Sequence, residues 1–347
     1  MALEKITLQQ LKEDPECQLK KFRRSKDFLV AIDTDGCVTD NMNGKQMLIF
    51  HPQYMEFYSL WDIESYFREV AEYYNLFSVH RGCNRFIAVS LTLKALHTRE
   101  DAKKAARERA VTIPDQQLVD DYINWCAEKK LGLGNPSLEQ FLATRPLDFQ
   151  IYKLLGWSEA VNRTFPFVNV KIPPFQGVHK ALQMMAEHAD LLVVSQTPYE
   201  DLVNYWEAQN LAQYISIIAG QEMGSKAHHI ELVKKSAGYK DTCVLMLGDG
   251  DGDLKAVKKN NGLFYPIPPG KENEAWKMLP ERFESFLNGT YARGLEPQLL
   301  DEFARTLLTA PPWEMPGYNH IEAYREKQEI RKSLYKQLNP DGRLLIL

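Results

Sequence analysis

Hydrophobic and polar positions alternate in blocks along the second half of the chain. Short apolar runs rich in β-branched residues recur at residues 191–194, 214–219, 244–247 and 263–267. The segments before and between them, GVHKALQMMAEH, PYEDLVNYWEAQ, KAHHIELVKKSAG and DGDLKAVKKNNG, predict helices. Pro198 is expected in a first helical turn, and Gly238 and Gly262 at helix ends. Such alternation predicts a mostly parallel, doubly wound α/β sheet covered by helices on both faces.

A further apolar run, residues 28–32, ends abruptly in acidic residues. Asp33, Asp35 and Asp40 follow it within eight positions, with a glycine among them and no lysine or arginine. A strand followed by an Asp-rich turn accounts for the residue types, since Asp and Gly are common in turns. Burying a carboxylate is costly unless it is paired or binds a cation. Because ligands bind beyond the carboxyl ends of parallel strands, Asp33 lies where a ligand site is expected.

Between the first run and the second half, the pattern changes. Residues 42–172 are rich in aromatic and charged residues and contain helix-like pieces such as SLWDIESYFREVAEYY and QQLVDDYINWCAEKK. This stretch predicts a separate, mostly helical domain inserted into an α/β domain of residues 1–41 and 173–295. Residues 296–347 are expected to form a C-terminal extension that packs on the α/β core, with Ile330, Leu334 and Leu338 at helical spacing before an apolar end at 344–347.

Composition narrows the classes of function. The 347 residues are 44% hydrophobic and 25% charged, which is typical of a globular chain with room for two domains. The 42 basic and 46 acidic residues give a net charge of -4, which argues against binding to nucleic acid or to an anionic membrane. Without a signal-like or membrane-spanning apolar run, a cytoplasmic location is expected. Five cysteines without CxxC spacing argue against disulfides and zinc, and Cys37 is expected to fill space.

A second acidic loop, GDGDGD at residues 248–253, also follows an apolar run. Asp249 and Asp253, four residues apart, would form an oxygen-ligand site for a hard cation together with the first acidic loop, and Mg²⁺ is typically bound by one or two carboxylates, waters and substrate phosphate. A Gly-Asp turn is the simpler interpretation of this loop alone. A calcium loop is disfavoured because its twelfth position, counted from Asp249, is Asn260 and not Glu.

Three further polar residues occur where an anion could bind. Ser195 and Gln196 end the run LLVV and supply a hydroxyl group and backbone amides, and Lys226 stands near the start of a predicted helix. Each alone is unremarkable, since a lone serine or a solvated lysine is common. The pattern DxDGxxxD, however, arises by chance at about 10⁻⁵ per starting position. The serine, the lysine and GDxxxD follow this pattern in chain order, and the motifs come after predicted strands. A chance combination of all four is therefore implausible.

Together these segments resemble a known family. AIDTDGCVTD, LLVVSQT, GSKAHH and LMLGDGDGD resemble the four motifs of the haloacid dehalogenase superfamily of phosphohydrolases, and the long insertion resembles the helical C1-type cap of that family. PPFQGVHKALQMM resembles the return from cap to core. The resemblance covers residues 28–41 and 173–290, and it implies a Rossmann-like core with an inserted helical cap domain. The insertion, at roughly 130 residues, is larger than the usual C1 cap.

The resemblance implies roles for individual residues. Asp33 would be the nucleophile that becomes an aspartyl-phosphate, and Asp35 the general acid and then the base. Ser195 would hydrogen-bond the phosphoryl oxygens, and Lys226 would neutralise charge between Asp33 and the phosphate. Physical chemistry is consistent with this division, since a nucleophilic carboxylate must be ionised whereas the acid must hold a proton near neutral pH.

The resemblance also implies a metal and a substrate site. Asp33, Asp249 and the backbone carbonyl of Asp35 would bind Mg²⁺, with Asp253 in or just behind that set of ligands. The remaining predictions concern positions around this site: Gly36 permits a tight turn near the substrate, Asp40 is structural, Gln196 contacts substrate, and Arg81 and Arg85 clamp a second anionic group of the substrate. Surface ion pairs are the alternative interpretation of the two arginines.

The expected activity is a Mg²⁺-dependent phosphomonoesterase acting on a small phosphorylated metabolite. A phosphomutase or another phosphotransferase of the same superfamily is an alternative, and so is a non-catalytic protein that binds a phosphorylated ligand. Asp35 argues against a hydrolytic dehalogenase, since a halide leaving group needs no proton. A phosphonate hydrolase would need a lysine that forms an imine, and none in the insertion has an unusual setting. The sequence does not indicate an oligomeric state.

Overall fold

The computed structural model of the chain describes residue 3 and residues 5–145, 148–169 and 171–339. The described residues divide into two compact units. The first, here called the sheet unit, contains residues of the ranges 1–42 and 170–307. The second, the helical unit, contains residues of the ranges 43–169 and 308–347. The inserted domain predicted at residues 42–172 therefore corresponds to the larger segment of the helical unit.

The sheet unit contains five strands. They are β1 (Phe28–Ile32), β2 (Ala189–Val194), β3 (Ile217–Ala219), β4 (Val244–Gly248) and β5 (Leu263–Pro266). All pair in parallel, in the order β3-β2-β1-β4-β5. Ile32 pairs with Val193 on one side and Leu247 on the other, so the carboxyl ends of β1, β2 and β4 lie next to one another. The predicted parallel α/β sheet is confirmed.

The α-helices follow in chain order. They are α1 (Leu8–Glu13), α2 (Cys17–Lys21), α3 (Asn41–Lys45), α4 (His51–Tyr58), α5 (Glu64–Glu72), α6 (Arg85–Thr98), α7 (Glu100–Glu108), α8 (Gln116–Lys129), α9 (Asn135–Ala143), α10 (Phe149–Asn169), α11 (Val178–His188), α12 (Tyr199–Ala208), α13 (Lys226–Ala237), α14 (Asp251–Lys259), α15 (Glu272–Leu287), α16 (Glu296–Ala304) and α17 (His320–Leu338). Two π-helices, Gln46–Phe50 and Tyr73–Phe77, lie in the helical unit. None of the described helices is long and apolar enough to span a membrane.

The core of the sheet unit lies on both faces of the sheet. Except for Phe28, every strand residue is buried, which explains why the strands are continuous apolar runs without alternation. Two fully buried tryptophans reach the loop after β1: the Trp206 indole N–H donates to Thr34 Oγ1 at 3.1 Å, and that of Trp276 donates to the Cys37 carbonyl at 2.7 Å. The core thus holds the first acidic loop in place.

Some predicted boundaries were wrong. The run at 214–219 does not begin as a strand, because residues Ala212–Tyr214 form a 3₁₀ turn and β3 starts at Ile217. Gly238 ends α13 with a left-handed φ of 70°, as predicted. Gly262 does not end α14, since the helix stops at Lys259 and the left-handed residue is Asn261. Pro198 precedes the first turn of α12 as its N-cap residue.

The C-terminal extension differs most from expectation. Its first part, including α16, belongs to the sheet unit as predicted, but the described residues from Leu308 to Asn339 belong to the helical unit. The Leu308 backbone N–H donates to the Phe77 carbonyl at 2.8 Å, and α17 carries Arg331, which pairs with the buried Glu72 of α5. Leu334 and Leu338 are buried as their helical spacing predicted. The apolar end at 344–347 lies outside the described residues.

Candidate active site

Three predicted site residues follow neighbouring strands. Asp33 comes directly after β1, Ser195 after β2 and Asp249 after β4, and these strands are adjacent in the sheet. The backbone extends the sheet pairing into the site: Asp33 N–H donates to the Leu247 carbonyl at 3.0 Å and Ser195 N–H to that of Ala219 at 3.0 Å. All three side chains are at least 95% buried. Parallel pairing therefore brings together residues that lie far apart in the sequence.

A cluster of three buried carboxylates forms the centre of the site. One carboxylate oxygen from each of Asp33, Asp249 and Asp253 lies within 4.8 Å of the other two. Gly248 makes room for this approach, because a β-carbon there would lie 2.6 Å from Asp253 Cγ. The N–H of Gly250 donates to Asp253 Oδ2 at 3.2 Å, which holds that side chain at the start of α14.

Lys226 is the cation that faces this cluster. Its Nζ lies 2.8 Å from Asp33 Oδ1 and 2.6 Å from Asp253 Oδ1, and its side chain is 17% exposed. Burial alone would lower the pKa of Lys226, but the charges of Asp253 and Asp33 outweigh it, so the pKa lies above its usual range and the lysine is cationic. Lys226 therefore contacts two of the three clustered carboxylates directly.

The burial and the neighbouring charges of Asp33 change the pKa of its carboxyl group. Burial raises the pKa of Asp33 well above its usual range; Lys226 opposes this shift, while Asp253 and Asp249 add to it. The contact between Asp33 Oδ1 and Lys226 is an ion pair by distance, yet its angle leaves Oδ1 without a well-directed hydrogen bond. A further positive group near Oδ1 would favour the ionised carboxylate.

Asp35 lies apart from the carboxylate cluster. Its side chain is half-buried and receives two hydrogen bonds: Asn41 Nδ2 donates to Oδ1 at 2.5 Å and Thr197 Oγ1 donates to Oδ2 at 3.1 Å. Asn41 is itself oriented, since its Oδ1 accepts from the Gly36 N–H at 3.2 Å. Gly36 has a φ of 77°, a left-handed conformation that favours glycine, as its predicted role in a tight turn requires.

The two positions after β2 that were predicted to bind an anion differ in exposure, because Ser195 is buried and Gln196 is exposed. Ser195 Oγ accepts from the Thr197 N–H at 3.2 Å, and the exposed Gln196 donates through Nε2 to the Gly224 carbonyl at 3.0 Å. Asp40 is half-buried at the start of α3 and lies outside the carboxylate cluster. Cys37 is fully buried, and burial raises the pKa of its thiol well above the usual range, which keeps it protonated.

The two predicted clamp residues lie in the helical unit. Arg81 is 5% exposed and donates through Nη1 to the Leu76 carbonyl at 3.0 Å. Arg85 donates through Nη1 to Ser158 Oγ at 3.0 Å and to Asn162 Oδ1 at 2.8 Å. Arg85 forms no ion pair with another described residue. Their role in substrate binding stays a prediction.

The sequence analysis missed Asn41 and Thr197. Each lies within three residues of a predicted site residue, in TDN and SQT, but amides and hydroxyls are common in loops and nothing in the sequence distinguishes these two. Their contacts with Asp35 depend on how the loops after β1 and β2 meet. A search restricted to polar residues just after adjacent strands would have included Thr197, three residues past β2, but not Asn41, nine residues past β1.

Comparisons with known proteins give a consistent fold. No family model and no curated protein matches the chain. Among solved structures, it is similar to a haloacid dehalogenase-like family hydrolase from Streptococcus pneumoniae (11% identity, 75% of this chain and 98% of the other, TM-score 0.39) and to one from Xanthomonas campestris (12% identity, 81% and 97%, TM-score 0.40). It is also similar to a defluorinating L-2-haloacid dehalogenase (12% identity, 73% and 87%, TM-score 0.33).

These values describe a similarity of fold and carry no information about substrate or chemistry. The structure itself provides the stronger argument, because residues of all four predicted motifs lie at one edge of a five-stranded parallel sheet, with a mostly helical segment inserted after the first strand. The described residues therefore have a parallel α/β fold with a mostly helical insertion.

Proposed function

We propose that the protein is a Mg²⁺-dependent phosphomonoesterase that acts on a small phosphorylated metabolite through an aspartyl-phosphate on Asp33. The observation that carries this proposal is the separation of two kinds of carboxylate. Asp33 belongs to a buried carboxylate cluster that includes a lysine, whereas Asp35 is held outside the cluster by an amide and a hydroxyl. A nucleophilic carboxylate beside a positive charge and a second carboxylate oriented by hydrogen bonds are what phosphate ester cleavage requires.

The residues of the cluster fit Mg²⁺. All candidate ligands are oxygen atoms, which Mg²⁺ prefers, and no histidine or cysteine takes part among the described residues. One carboxylate oxygen of each cluster residue lies within 4.8 Å of the other two, and Asp33 Oδ1 lacks a well-directed hydrogen bond. Asp33, Asp249 and the backbone carbonyl of Asp35 would hold the ion, with Asp253 beside them. When bound, Mg²⁺ would neutralise charge on the carboxylates and the phosphoryl oxygens.

The chemistry of the protein residues proceeds in two steps. In the first, the Asp33 carboxylate attacks phosphorus, the bond from phosphorus to the ester oxygen breaks, and Asp35 donates a proton to the leaving oxygen. In the second, water attacks the aspartyl-phosphate, Asp35 takes a proton from that water, and phosphate leaves as the Asp33 carboxylate is restored. Ser195 donates a hydrogen bond to a phosphoryl oxygen, and Lys226 balances the negative charge that Asp33 and the phosphate bring together.

A panel of phosphorylated metabolites, assayed for phosphate release with and without Mg²⁺, tests this proposal. Release by the wild type that disappears with EDTA, returns with Mg²⁺ and is absent in Asp33→Asn is the expected result. Isomerisation of a sugar phosphate without release would instead indicate a mutase. Binding without turnover of any compound would indicate a protein that only recognises phosphorylated ligands.

A pair of variants tests the metal assignment. Asp249→Asn removes a proposed ligand, so we expect it to weaken Mg²⁺ binding by far more than Asp40→Asn, which lies outside the cluster. Isothermal titration with Mg²⁺ measures both affinities directly and does not depend on knowing the substrate. Equal losses in the two variants would show that the metal is not bound by the loop after β4.

A further inference from the structure

The start of α17 brings a histidine against the first turns of α5, within the helical unit. His320 is the first residue of α17, and its Nε2 lies 3.0 Å from Ser65 Oγ. Its Nδ1 lies 2.8 Å from Glu69 Oε2. Ser65 and Glu69 are four residues apart in α5 and therefore lie on the same side of that helix. A serine, a histidine and a glutamate thus form one chain of hydrogen bonds.

The chemistry of these groups determines where the protons lie. A carboxylate only accepts hydrogen bonds, so His320 Nδ1 carries a hydrogen and donates it to Glu69. In the neutral ring, Nε2 is then the acceptor for the Ser65 O–H. Arg99 Nη2 lies 3.3 Å from Nδ1, but both atoms are donors, and Nη2 donates to Asp101 Oδ2 at 2.9 Å. This order of serine, base and carboxylate is the one in which a histidine takes the serine proton.

Aromatic contacts hold the histidine and its carboxylate partner in place. The His320 ring stacks on Tyr66, with ring centroids 4.1 Å apart and an angle of 10° between the planes. Arg99 pairs with the same oxygen of Glu69, and its guanidinium lies 5.2 Å from the ring centroid of Tyr66 and 5.0 Å from that of Trp313. The base is therefore oriented before any substrate binds, which lowers the cost of reaching a reactive geometry.

The charges around His320 allow it to take up a proton. Arg99 pairs with Asp101 as well as with Glu69, since Arg99 Nε donates to Asp101 Oδ1 at 2.7 Å. Arg99 and a protonated His320 would together face two carboxylates, so each cation has a partner of opposite charge. A positive charge that develops on the imidazole is stabilised by such a partner.

Ser65 lies where a nucleophile can be reached by a substrate. It is half-buried, and the side chains of His320 and Glu69 are 15% and 11% exposed. Ser65 is the second residue of α5 and so belongs to the first turn, whose backbone N–H groups lack acceptors within the helix. The start of a helix also carries the positive end of its dipole. Negative charge next to Ser65 is therefore favoured.

We propose that Ser65, His320 and Glu69 form a second hydrolytic site, which cleaves carboxylic esters through an acyl-serine. Ser65 Oγ bonds to the carbonyl carbon, and its proton goes to His320 Nε2. The bond from that carbon to the ester oxygen then breaks, and Nε2 gives the proton to the leaving alcohol. Water repeats these transfers on the acyl-serine, which releases the carboxylic acid and restores Ser65. Glu69 is a positioning residue that acts through His320.

The inference does not depend on the proposed phosphatase activity. All three residues lie in the helical unit, whereas the carboxylate cluster of Asp33, Asp249 and Asp253 lies in the sheet unit. The three side chains carry out these proton transfers without a metal ion.

Labelling of the full chain with a fluorophosphonate tests the nucleophile. This probe bonds to an activated serine oxygen and loses fluoride, and peptide mapping locates it. We expect Ser65 to be labelled at least about 100-fold faster than Ser333, an exposed serine of α17 in the same unit. Ser65→Ala should lose the label, and the matched control Ser333→Ala should keep it. Equal labelling of the two serines, or no label on Ser65, overturns the proposal.

Two further variants test the base and the positioning residue. His320→Gln removes the base and should slow the labelling of Ser65 by about 100-fold or more. Glu69→Gln should slow it as well, because the amide no longer fixes the ring with its hydrogen on Nδ1. An unchanged rate in a variant that circular dichroism shows to be folded would mean that these contacts only fasten α17, and it overturns the proposal. If a variant unfolds, the ratio of Ser65 to Ser333 labelling in the wild type decides.

Hydrolysis of p-nitrophenyl acetate measures the complete reaction. Ser65→Ala should lose most of the p-nitrophenol release that the wild type shows, and Ser333→Ala should keep it. EDTA should change neither this release nor the labelling, although it removes the proposed phosphatase activity, so the two proposals fail independently. Ester hydrolysis that disappears with EDTA would assign the reaction to the carboxylate cluster and overturn the proposal.

Discussion

Asp33 and Asp35 are two residues apart in the sequence, but their surroundings differ. Asp33 is 3% exposed and in contact with Lys226, whereas Asp35 is half-buried and receives hydrogen bonds from Asn41 and Thr197. Alternation along an extended backbone turns successive side chains to opposite sides, so residues i and i+2 would face the same way in a strand. Because β1 ends at Ile32, both residues lie in the loop beyond the strand, where this alternation does not apply, and Asn41 and Thr197 hold the Asp35 side chain in an environment of its own.

Separate environments predict separate defects. Asp33→Asn removes the attacking carboxylate, so no phosphoenzyme should form. Asp35→Asn keeps the attack but lacks the acid and the base. It should therefore accept phosphate from an aryl ester, which needs little protonation, and release it slowly, so that aspartyl-phosphate accumulates.

Mass spectrometry of acid-quenched protein, with the phosphate located by peptide mapping, measures this difference. Asp35→Asn should slow phosphoryl transfer from alkyl esters more than from aryl esters, because an alkyl leaving group needs the proton that Asp35 supplies. Acid–base assistance of this kind is typically worth about 10² to 10⁴-fold in rate. Phosphate found on Asp35, or the same phosphoenzyme yield from Asp33→Asn as from the wild type, would contradict the assignment.

Thr197 provides a milder test of the same arrangement. Thr197→Val keeps the shape of the side chain but removes the hydrogen bond to Asp35 Oδ2, so the acid should be less well oriented. We expect kcat for an alkyl ester to fall about tenfold and kcat for an aryl ester to change little. Thr242→Val is the control, because Thr242 is exposed in the same unit. A merely structural role for Thr197 would lower both rates equally.

At the scale of elements, the junction of β4 and α14 sets the geometry of the carboxylate cluster. Gly248 ends the strand, and a β-carbon there would collide with the Asp253 side chain. Gly248→Ala should therefore displace Asp253, destabilise the protein by about 1–3 kcal/mol and weaken Mg²⁺ binding. Gly252→Ala, in the same loop–helix segment, meets no atom within 4 Å and should stabilise α14 by up to about 1 kcal/mol.

Urea unfolding and Mg²⁺ titration of the two glycine variants measure these effects. Similar stability in both variants would show that the Asp253 side chain lies farther from the Gly248 backbone than the structure places it. The comparison is informative because both substitutions are Gly→Ala and lie four residues apart, Gly248 at the end of β4 and Gly252 in the first turn of α14, and the space around the added methyl group differs.

The sequence predicted the elements of the sheet unit well because each strand is buried on both faces. Continuous apolar runs such as Phe28–Ile32 and Val244–Gly248 leave little ambiguity, and the residues directly after them are brought together by parallel pairing alone. The 3₁₀ turn at Ala212–Tyr214 was missed because Tyr214 is as apolar as the strand that follows. Periodicity does not distinguish the last turn of a connection from the first residues of a strand.

The contacts of the site were less predictable than its members. Asp33, Asp249 and Asp253 could be chosen from their spacing, but the partners of Asp35 come from two loops, and loop conformation has no periodic signal. The two π-helices were also invisible to the pattern, since one extra residue in a turn changes no residue type.

At the scale of the whole molecule, the end of the described chain belongs with the insertion, although more than 130 residues of the sheet unit separate them in sequence. Within the helical unit, Arg331 of α17 donates through Nε to Glu72 Oε1 of α5 at 2.8 Å, and the Glu72 side chain is 1% exposed. Apolar spacing in α17 predicted that it docks, and the α/β core was the expected surface, whereas α17 belongs to the helical unit. The surface is determined by Glu72, a buried acid that the sequence does not distinguish from an exposed one.

The pairing of Arg331 with Glu72 predicts that α17 stabilises the helical unit. Arg331→Met leaves Glu72 buried without its counterion, which should cost about 3 kcal/mol in the free energy of unfolding at pH 8. The loss should be smaller at pH 5. Burial already raises the pKa of Glu72 and Arg331 lowers it, so removal of Arg331 raises the pKa further and lets Glu72 take a proton in the folded state as the pH falls.

Lys332→Met is the matched control for this prediction, because Lys332 is the next residue of α17 and its pair with Glu329 is exposed. Its effect should stay within about 0.5 kcal/mol at both pH values. Urea unfolding gives the free energies, and hydrogen exchange by mass spectrometry shows where protection is lost. Arg331→Met should lower protection in α5 before it does so in β1, since its partner lies in the helical unit. Equal losses in the two methionine variants, or a loss of protection that begins in the sheet, would mean that α17 does not stabilise the helical unit through this ion pair.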